Sequence, residues 1–207
     1  MKLSIIVPVY QEKNIKVFLN ALKSIDNISD CEIIVEIGKG RARQMNAGAK
    51  KAQGNILLFL HADSILPQNA VNKILEILDK PEIVAGAFTL SFGPMNSALR
   101  LLAFCANLRV RITRIPFGDQ GIFIKKSYFN KLGGYKDIPL MEDLELMKRI
   151  RRNNKKIVIL KEKVITSARR WQEKGIVLNT IQNNWLQFLY FIGVSPAKLA
   201  QIYYGKD

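Results

Sequence analysis

The sequence predicts an α/β fold in which a mostly parallel central sheet is flanked by helices, and three observations lead there. Apolar runs with strand character fall near residues 3–9, 32–36, 55–60, 83–92, 119–125 and 156–160, with helical periodicity in most of the intervals. Such alternation is how layered α/β domains are built. The run Ile56-Leu57-Leu58-Phe59-Leu60 has no polar alternation, as a strand buried on both faces requires. Polar residues follow it at once, His61-Ala62-Asp63-Ser64, in the position where ligands of open α/β sheets bind, beyond the carboxyl ends of the strands.

The first strand is Leu3-Ser4-Ile5-Ile6-Val7-Pro8-Val9. Its apolar run stops at Pro8, and Glu12 follows without a small-residue cleavage site, so it reads as a strand and not as a signal peptide. The second, Glu32-Ile33-Ile34-Val35-Glu36, leads through Ile37-Gly38-Lys39 into a helix beginning near Arg41, with Ala42, Met45, Ala49 and Ala52 facing the core. After the third strand, Pro67 suits a first helical turn, so Asp63 and Ser64 are either ligand-facing or caps of that helix. Gly54 and Gly133 fall where helices should stop. From Pro94 to about Arg114 runs a long amphipathic segment. Leu99, Leu102, Ala103, Ala106 and Val110 approximate one face, and Arg100, Arg109, Arg111 and Arg114 fall mostly off it.

With 207 residues, no repeat and no low-complexity tract, the chain is expected to form one domain, residues 1–207, with halves 1–100 and 101–207. Cys31 and Cys105 lack metal-ligand spacing and read as structural residues of a reduced, cytoplasmic protein. No stretch approaches the ~20 apolar residues of a membrane span. Residues 1–100 hold 12 Lys/Arg against 9 Asp/Glu, whereas residues 101–207 hold 20 against 8, so the basicity belongs to the second half. That surface is either a generic solubilising one or one that favours acidic partners, such as phosphate-bearing acceptors or anionic headgroups. No recognised nucleic-acid motif accompanies the charge, so no specific nucleic-acid partner is expected. The segment Trp185–Tyr204 carries a single lysine, Lys198, among aromatics and leucines. It packs on its own domain, on a second copy in a homodimer, or on a membrane surface.

Several motifs occur together: Pro8-Val9-Tyr10-Gln11-Glu12, Gly40-Arg41-Ala42-Arg43-Gln44-Met45-Asn46-Ala47-Gly48, Leu58-Phe59-Leu60-His61-Ala62-Asp63, Gly118-Asp119-Gln120-Gly121, Met141-Glu142-Asp143-Leu144-Glu145-Leu146 and Gly193-Val194-Ser195-Pro196. As a set they resemble the family 2 glycosyltransferases, which have the GT-A fold. Within that family they look like the radical-SAM/selenodomain-associated subgroup. The resemblance spans nearly the whole chain. It implies transfer of a sugar from a nucleotide-sugar donor to an acceptor hydroxyl, with inversion, aided by Mn2+ or Mg2+. The basic second half suits an acidic acceptor and the Trp185–Tyr204 segment a lipid-linked one, with the protein cytoplasmic or peripheral at the inner membrane face.

The chemistry assigns roles to particular residues under that resemblance. The leaving diphosphate gains negative charge, so Asp63 is the expected metal ligand, with His61 as second ligand or hydrogen-bond donor; His61 is otherwise a buried structural residue. Asp143 is the expected base, with Glu142 as alternative, unless both acids only favour a helix N-terminus electrostatically. Pro8, Tyr10, Glu12, Arg41 and Arg43 are candidates for nucleotide binding, with an exposed helix start as the other reading of the arginines. Asp119, Gln120, Arg170 and Trp171 are candidates for the acceptor; a tight turn and a core-anchored tryptophan explain the same residues structurally. One departure stands out. Family members place an acidic turn, a helix and a strand after the second strand, and here only Ile37-Gly38-Lys39 separates it from Gly40. The nucleotide-binding half is therefore expected to be shortened, with Glu36 substituting for the missing acid. A degenerate sugar-nucleotide-binding protein and a basic nucleic-acid-binding protein are the alternatives.

Overall fold

A computed structural model describes residues 2–10, 15–94 and 96–205; Glu12, a candidate nucleotide contact, lies outside the described residues. The elements in chain order are β1 (Leu3–Val9), α1 (Ile15–Lys23), β2 (Glu32–Ile37), α2 (Arg41–Lys51), β3 (Ile56–Phe59), β4 (Ser64–Ile65), α3 (Ala70–Asp79), β5 (Ile83–Gly93), α4 (Ser97–Thr113), β6 (Ile122–Lys125), α5 (Lys126–Lys131), α6 (Glu142–Arg152), β7 (Lys156–Ser167), α7 (Arg169–Lys174), α8 (Ile176–Phe191) and α9 (Pro196–Tyr204). Short 3-10 turns lie at Ile28–Asp30 and Gly118–Gln120.

The strands form one sheet in the order β2-β1-β3-β6-β5-β7-β4. The pairs β1/β2, β1/β3 and β5/β7 are parallel, while β6 runs against both neighbours and β4 against β7. Five strands thus point one way and only β6 and β4 the other, so the mostly parallel sheet expected from the alternation is the one observed.

Side-chain alternation divides the core between the two faces. Ile5, Val7 and Leu58 pack with Phe18 and Leu22 of α1 and Ile74 and Leu78 of α3 on one side. Ile6, Leu57 and Phe59 pack with Ala42, Met45 and Ala49 of α2 and Leu144, Met147 and Ile150 of α6 on the other. Phe59 meets Phe129 at 5.2 Å and Tyr135 at 4.9 Å between ring centres, which fixes the loop before α6 against the sheet.

Four local expectations change. The strand expected at 156–160 runs on to Ser167, because its second half pairs with the end of β5 and with β4. The strand expected from 119 starts at Ile122, and residues before it form the 3-10 turn. Helix α3 starts at Ala70 behind Asn69, so neither Asp63 nor Ser64 caps it, and Ser64 instead pairs in β4 with Thr166. Gly133, with φ of 77°, does close α5, but α2 ends before Gly54. Gly54 is needed for a different reason, since a Cβ there would lie 2.6 Å from the Ser4 hydroxyl. Between β2 and α2 there is no further element, and β2 forms a half-buried sheet edge, as the shortened spacing implies.

Candidate active site

A cleft of about 520 Å³ opens at the carboxyl ends of β3, β5 and β7. Arg41, His61, Asp63, Asp119, Gln120, Asp143 and Trp171, all singled out from the sequence, line it together. The loop after β3 presents Asp63 in a turn closed by the Ser64 N–H donating to the His61 carbonyl at 3.1 Å. The Asp63 carbonyl is held by the Ser167 N–H at 3.2 Å. This pins the backbone and leaves the Asp63 carboxylate exposed.

Asp143 sits in the first turn of α6. Its Oδ2 accepts the Gly118 N–H at 2.6 Å and its Oδ1 the Leu144 N–H at 2.7 Å. Met141, just before α6, has φ of 68°, a strained conformation for a non-glycine residue that turns the chain abruptly into the cleft wall. Gly118 is the other half of the arrangement. A Cβ there would come 2.9 Å from His61 Nε2 and 3.3 Å from Asp143 Oδ2, so the missing side chain lets the half-buried imidazole and the carboxylate share one corner.

Glu142 points away from the cleft, is 1% exposed, and pairs with Arg41 Nε. Burial raises its pKa, with Arg41 opposing and Asp143 adding to the rise. Burial also works against the Arg41 charge, but Glu142 and then Asp143 outweigh it and hold the guanidinium above its usual range. Asp119 faces the cleft from the 3-10 turn. Burial, then the charge of Asp143, pushes its pKa up to about 6, and its Oδ1 has no hydrogen-bond partner among the described residues.

The sequence reading passed over Arg109 as a cleft residue. Its guanidinium lies 3.8 Å over the Phe117 ring and lines the cleft. Burial lowers its pKa, against the pull of Asp119 and Asp143. The signal was present in the spacing, because Leu102, Cys105, Ala106 and Arg109 follow one helical row and all four line the cleft. Cys105, read as structural, is likewise an exposed residue of this lining.

Other candidates are held elsewhere. Tyr10 follows β1 and is exposed, while Pro8 stands opposite Glu36 in the β1/β2 register; none of the three lines the cleft. The Glu36 carboxylate pairs with Lys51 at 2.8 Å, and Arg43 shares its Nε–H between the two Asp137 carboxylate oxygens at 2.9 and 2.8 Å in solvent. Gln120 is buried and uses both ends of its amide on backbone, donating to the Phe88 carbonyl and accepting the Phe117 N–H. Trp171 packs on Phe92, 4.9 Å between ring centres, with its Nε1 buried and without a partner among the described residues. The Arg170 side chain lies outside the described ones.

Much of the Gly40–Gly48 segment organises the site. Gln44 donates to the carbonyls of Val9 and Glu36, clamping the ends of β1 and β2, and Asn46 exchanges two hydrogen bonds with the Tyr135 backbone. Together with Arg41 on Glu142, these bonds hold the entry to α6, and hence Asp143, against α2.

Among the described residues no group of three or more His, Cys, Asp or Glu gathers as a ready metal cage. A hard divalent cation that travels with a diphosphate needs only one or two protein carboxylates, because phosphate oxygens and water complete its shell. The exposed Asp63 carboxylate and the unpartnered Asp119 oxygen on the same cleft fit that requirement.

This sheet, with its acid-bearing cleft, has the GT-A fold. It matches S. aureus TarS 1-349 with a TM-score of 0.61 and 15% identity, over 98% of this chain and 69% of that one. It matches the mannosyltransferase PcManGT of Pyrobaculum calidifontis, solved with GDP-Man and Mn2+, with a TM-score of 0.62 and 17% identity, over 79% and 56% of the two chains. Residues 35–133 match the family model of glycosyl transferase family 2. "Probable glycosyltransferase YdaM" of Bacillus subtilis (strain 168) is 29% identical over 128 residues, 55% of this chain but only 30% of that protein. These matches support a family 2 glycosyltransferase domain within the chain.

Proposed function

We propose that the chain transfers a sugar from a nucleoside-diphosphate sugar to an acceptor hydroxyl with inversion at the anomeric carbon. The observation that carries this is the convergence of Asp63 and Asp143, eighty residues apart, on one cleft at the carboxyl end of the sheet. The acceptor oxygen attacks the anomeric carbon and forms the new glycosidic bond. The bond from that carbon to the diphosphate breaks, and its electron pair leaves on the nucleoside diphosphate. Asp143 takes the hydroxyl proton, and the backbone N–H groups of Gly118 and Leu144 hold its carboxylate in place. Arg41 and Arg109 offset charge on the diphosphate. A divalent cation, Mn2+ or Mg2+, held by Asp63 with His61 or Asp119 beside it, would neutralise further diphosphate charge when bound. Pro8, Tyr10 and Glu36, at the carboxyl ends of β1 and β2, would receive the nucleoside, and Asp119 and Trp171 the acceptor.

The solved relatives were obtained with UDP, UDP-GlcNAc and GDP-Man, so uridine and guanosine donors come first. Among the described residues no helix is long and apolar enough to cross a membrane. Leu101, Phe104, Leu108 and Ile112 nevertheless leave one face of α4 apolar and exposed in the basic half, which supports peripheral contact with an anionic bilayer and a lipid-linked acceptor. A non-catalytic sugar-nucleotide-binding role is the second reading, favoured by the engagement of Glu36 with Lys51. Nucleotide release by the unmodified protein, set beside the Asp143→Asn variant, separates the two. Under the transferase reading it binds donor and fails to turn over. Under the second reading the unmodified protein binds donor and never releases nucleotide.

A further inference from the structure

Helix α8 turns a polar row, together with the buried Leu186, toward the cleft. Its polar residues Asn179, Thr180, Asn183, Asn184 and Gln187, at helical spacing, line the cleft, while Val177, Leu178, Ile181, Trp185 and Phe188 are exposed on the other side. Asn179 is 2% exposed, and its Nδ2 has no hydrogen-bond partner among the described residues. The buried Trp171 Nε1 on the adjoining wall is in the same state. Buried donors of this kind are normally satisfied, and two of them on residues that line a cavity point to a ligand that supplies acceptors. The chemistry of that ligand follows from the donor set. Helix α8 carries no charged residue, and Arg169, which lines the cleft from α7, is exposed and paired with Glu173, so the amide face itself offers nothing to balance a phosphate or carboxylate. Each amide offers a carbonyl acceptor beside NH2 donors, the complement of a hydroxyl that both donates and accepts.

Resting on the transferase reading, we propose that this amide face of α8, with Trp171, is the acceptor subsite, and that it takes an uncharged, hydroxyl-rich group, a glycoside. Any charge or lipid on the acceptor lies beyond that unit.

The test is ligand-observed saturation-transfer NMR with methyl glucoside, methyl mannoside and glucose 6-phosphate as probes, with and without UDP and Mn2+, alongside separate nucleotide titrations. The neutral glycosides bind and glucose 6-phosphate does not bind better. Asn183→Ala combined with Gln187→Ala, both less buried than Asn179, weakens glycoside binding by about tenfold or more, with circular dichroism showing that the variant is folded. Asn179→Ala gives a second, independent loss. Preference for glucose 6-phosphate, no glycoside binding, or unchanged binding in both variants overturns the proposal. Glycoside binding without any nucleotide binding keeps the subsite and instead sinks the transferase reading.

Discussion

The cleft has two walls that satisfy their polar groups differently. On the wall built by α2, the 3-10 turn and α6, most polar groups are already engaged: Arg41 with Glu142, and Asp143 with two backbone N–H groups. On the wall built by α7 and α8, the donors of Trp171 and Asn179 are buried with no partner among the described residues. The first wall is preorganised by its own bonds, which electrostatic catalysis requires, because donors and charges fixed in advance need no reorganisation during reaction. The second is completed by what it binds. Asp119 is the exception on the charged wall, since its Oδ1 is buried without a hydrogen-bond partner among the described residues.

The largest test of this contrast removes the proposed base. Asp143→Asn should lower turnover by about 10²–10⁴-fold while donor affinity stays within about twofold, measured by nucleotide release and calorimetry. Next is the ion pair between the buried Glu142 and the partly exposed Arg41. Arg41→Met leaves Glu142 uncompensated and should cost about 2–4 kcal/mol in urea unfolding, whereas Arg43→Ala, which breaks only the exposed pair with Asp137, should cost less than about 1 kcal/mol. Equal losses in the two would remove the distinction between an organised interior and a solvated rim.

Asp63→Asn should reduce the Mn2+-dependent part of donor binding by about tenfold or more, leaving metal-free binding unchanged. Asp119 gives a pH signature. Its folded pKa of about 6 lies above the ordinary 3.8, so it contributes stability that is full below about 4 and lost as pH rises through about 6. The melting temperature of the unmodified protein relative to Asp119→Asn should therefore fall between pH 4 and 7, and a flat difference would show that Asp119 is not held in that environment. Smallest in stability is the outer surface: Leu101→Lys with Phe104→Lys should shift stability by no more than about 0.5 kcal/mol per site yet abolish sedimentation with anionic vesicles.

The centre of the sheet was legible because β3 is a continuous apolar run, whereas β7 is broken by Lys161-Glu162-Lys163 and its second half was not expected. Ile56–Phe59 is buried on both faces, as a strand at the centre of an α/β layer requires. Strand β4 was not legible, since two residues pair only because Ile165 and Thr166 arrive a hundred residues later. The same holds for Arg41 with Glu142 and Arg43 with Asp137, whose partnerships belong to the fold and leave no local trace. Helix α8 shows a different limit. Periodicity reports that a helix has two faces, but not which one turns inward, and here the polar face does. Asp63, Asp119 and Asp143 were readable as a group from their motifs, while Arg109 needed the orientation of α4 to reveal that it joins them.

The most direct measurement of the central claim is calorimetric titration of the protein with UDP, GDP and CDP and with UDP- and GDP-sugars, each with and without Mn2+. A donor-binding cleft organised around Asp63 and Asp143 predicts saturable binding to one nucleotide class, strengthened by Mn2+ and weakened by Asp63→Asn. Absence of binding to every nucleotide, in a protein shown to be folded, would contradict it.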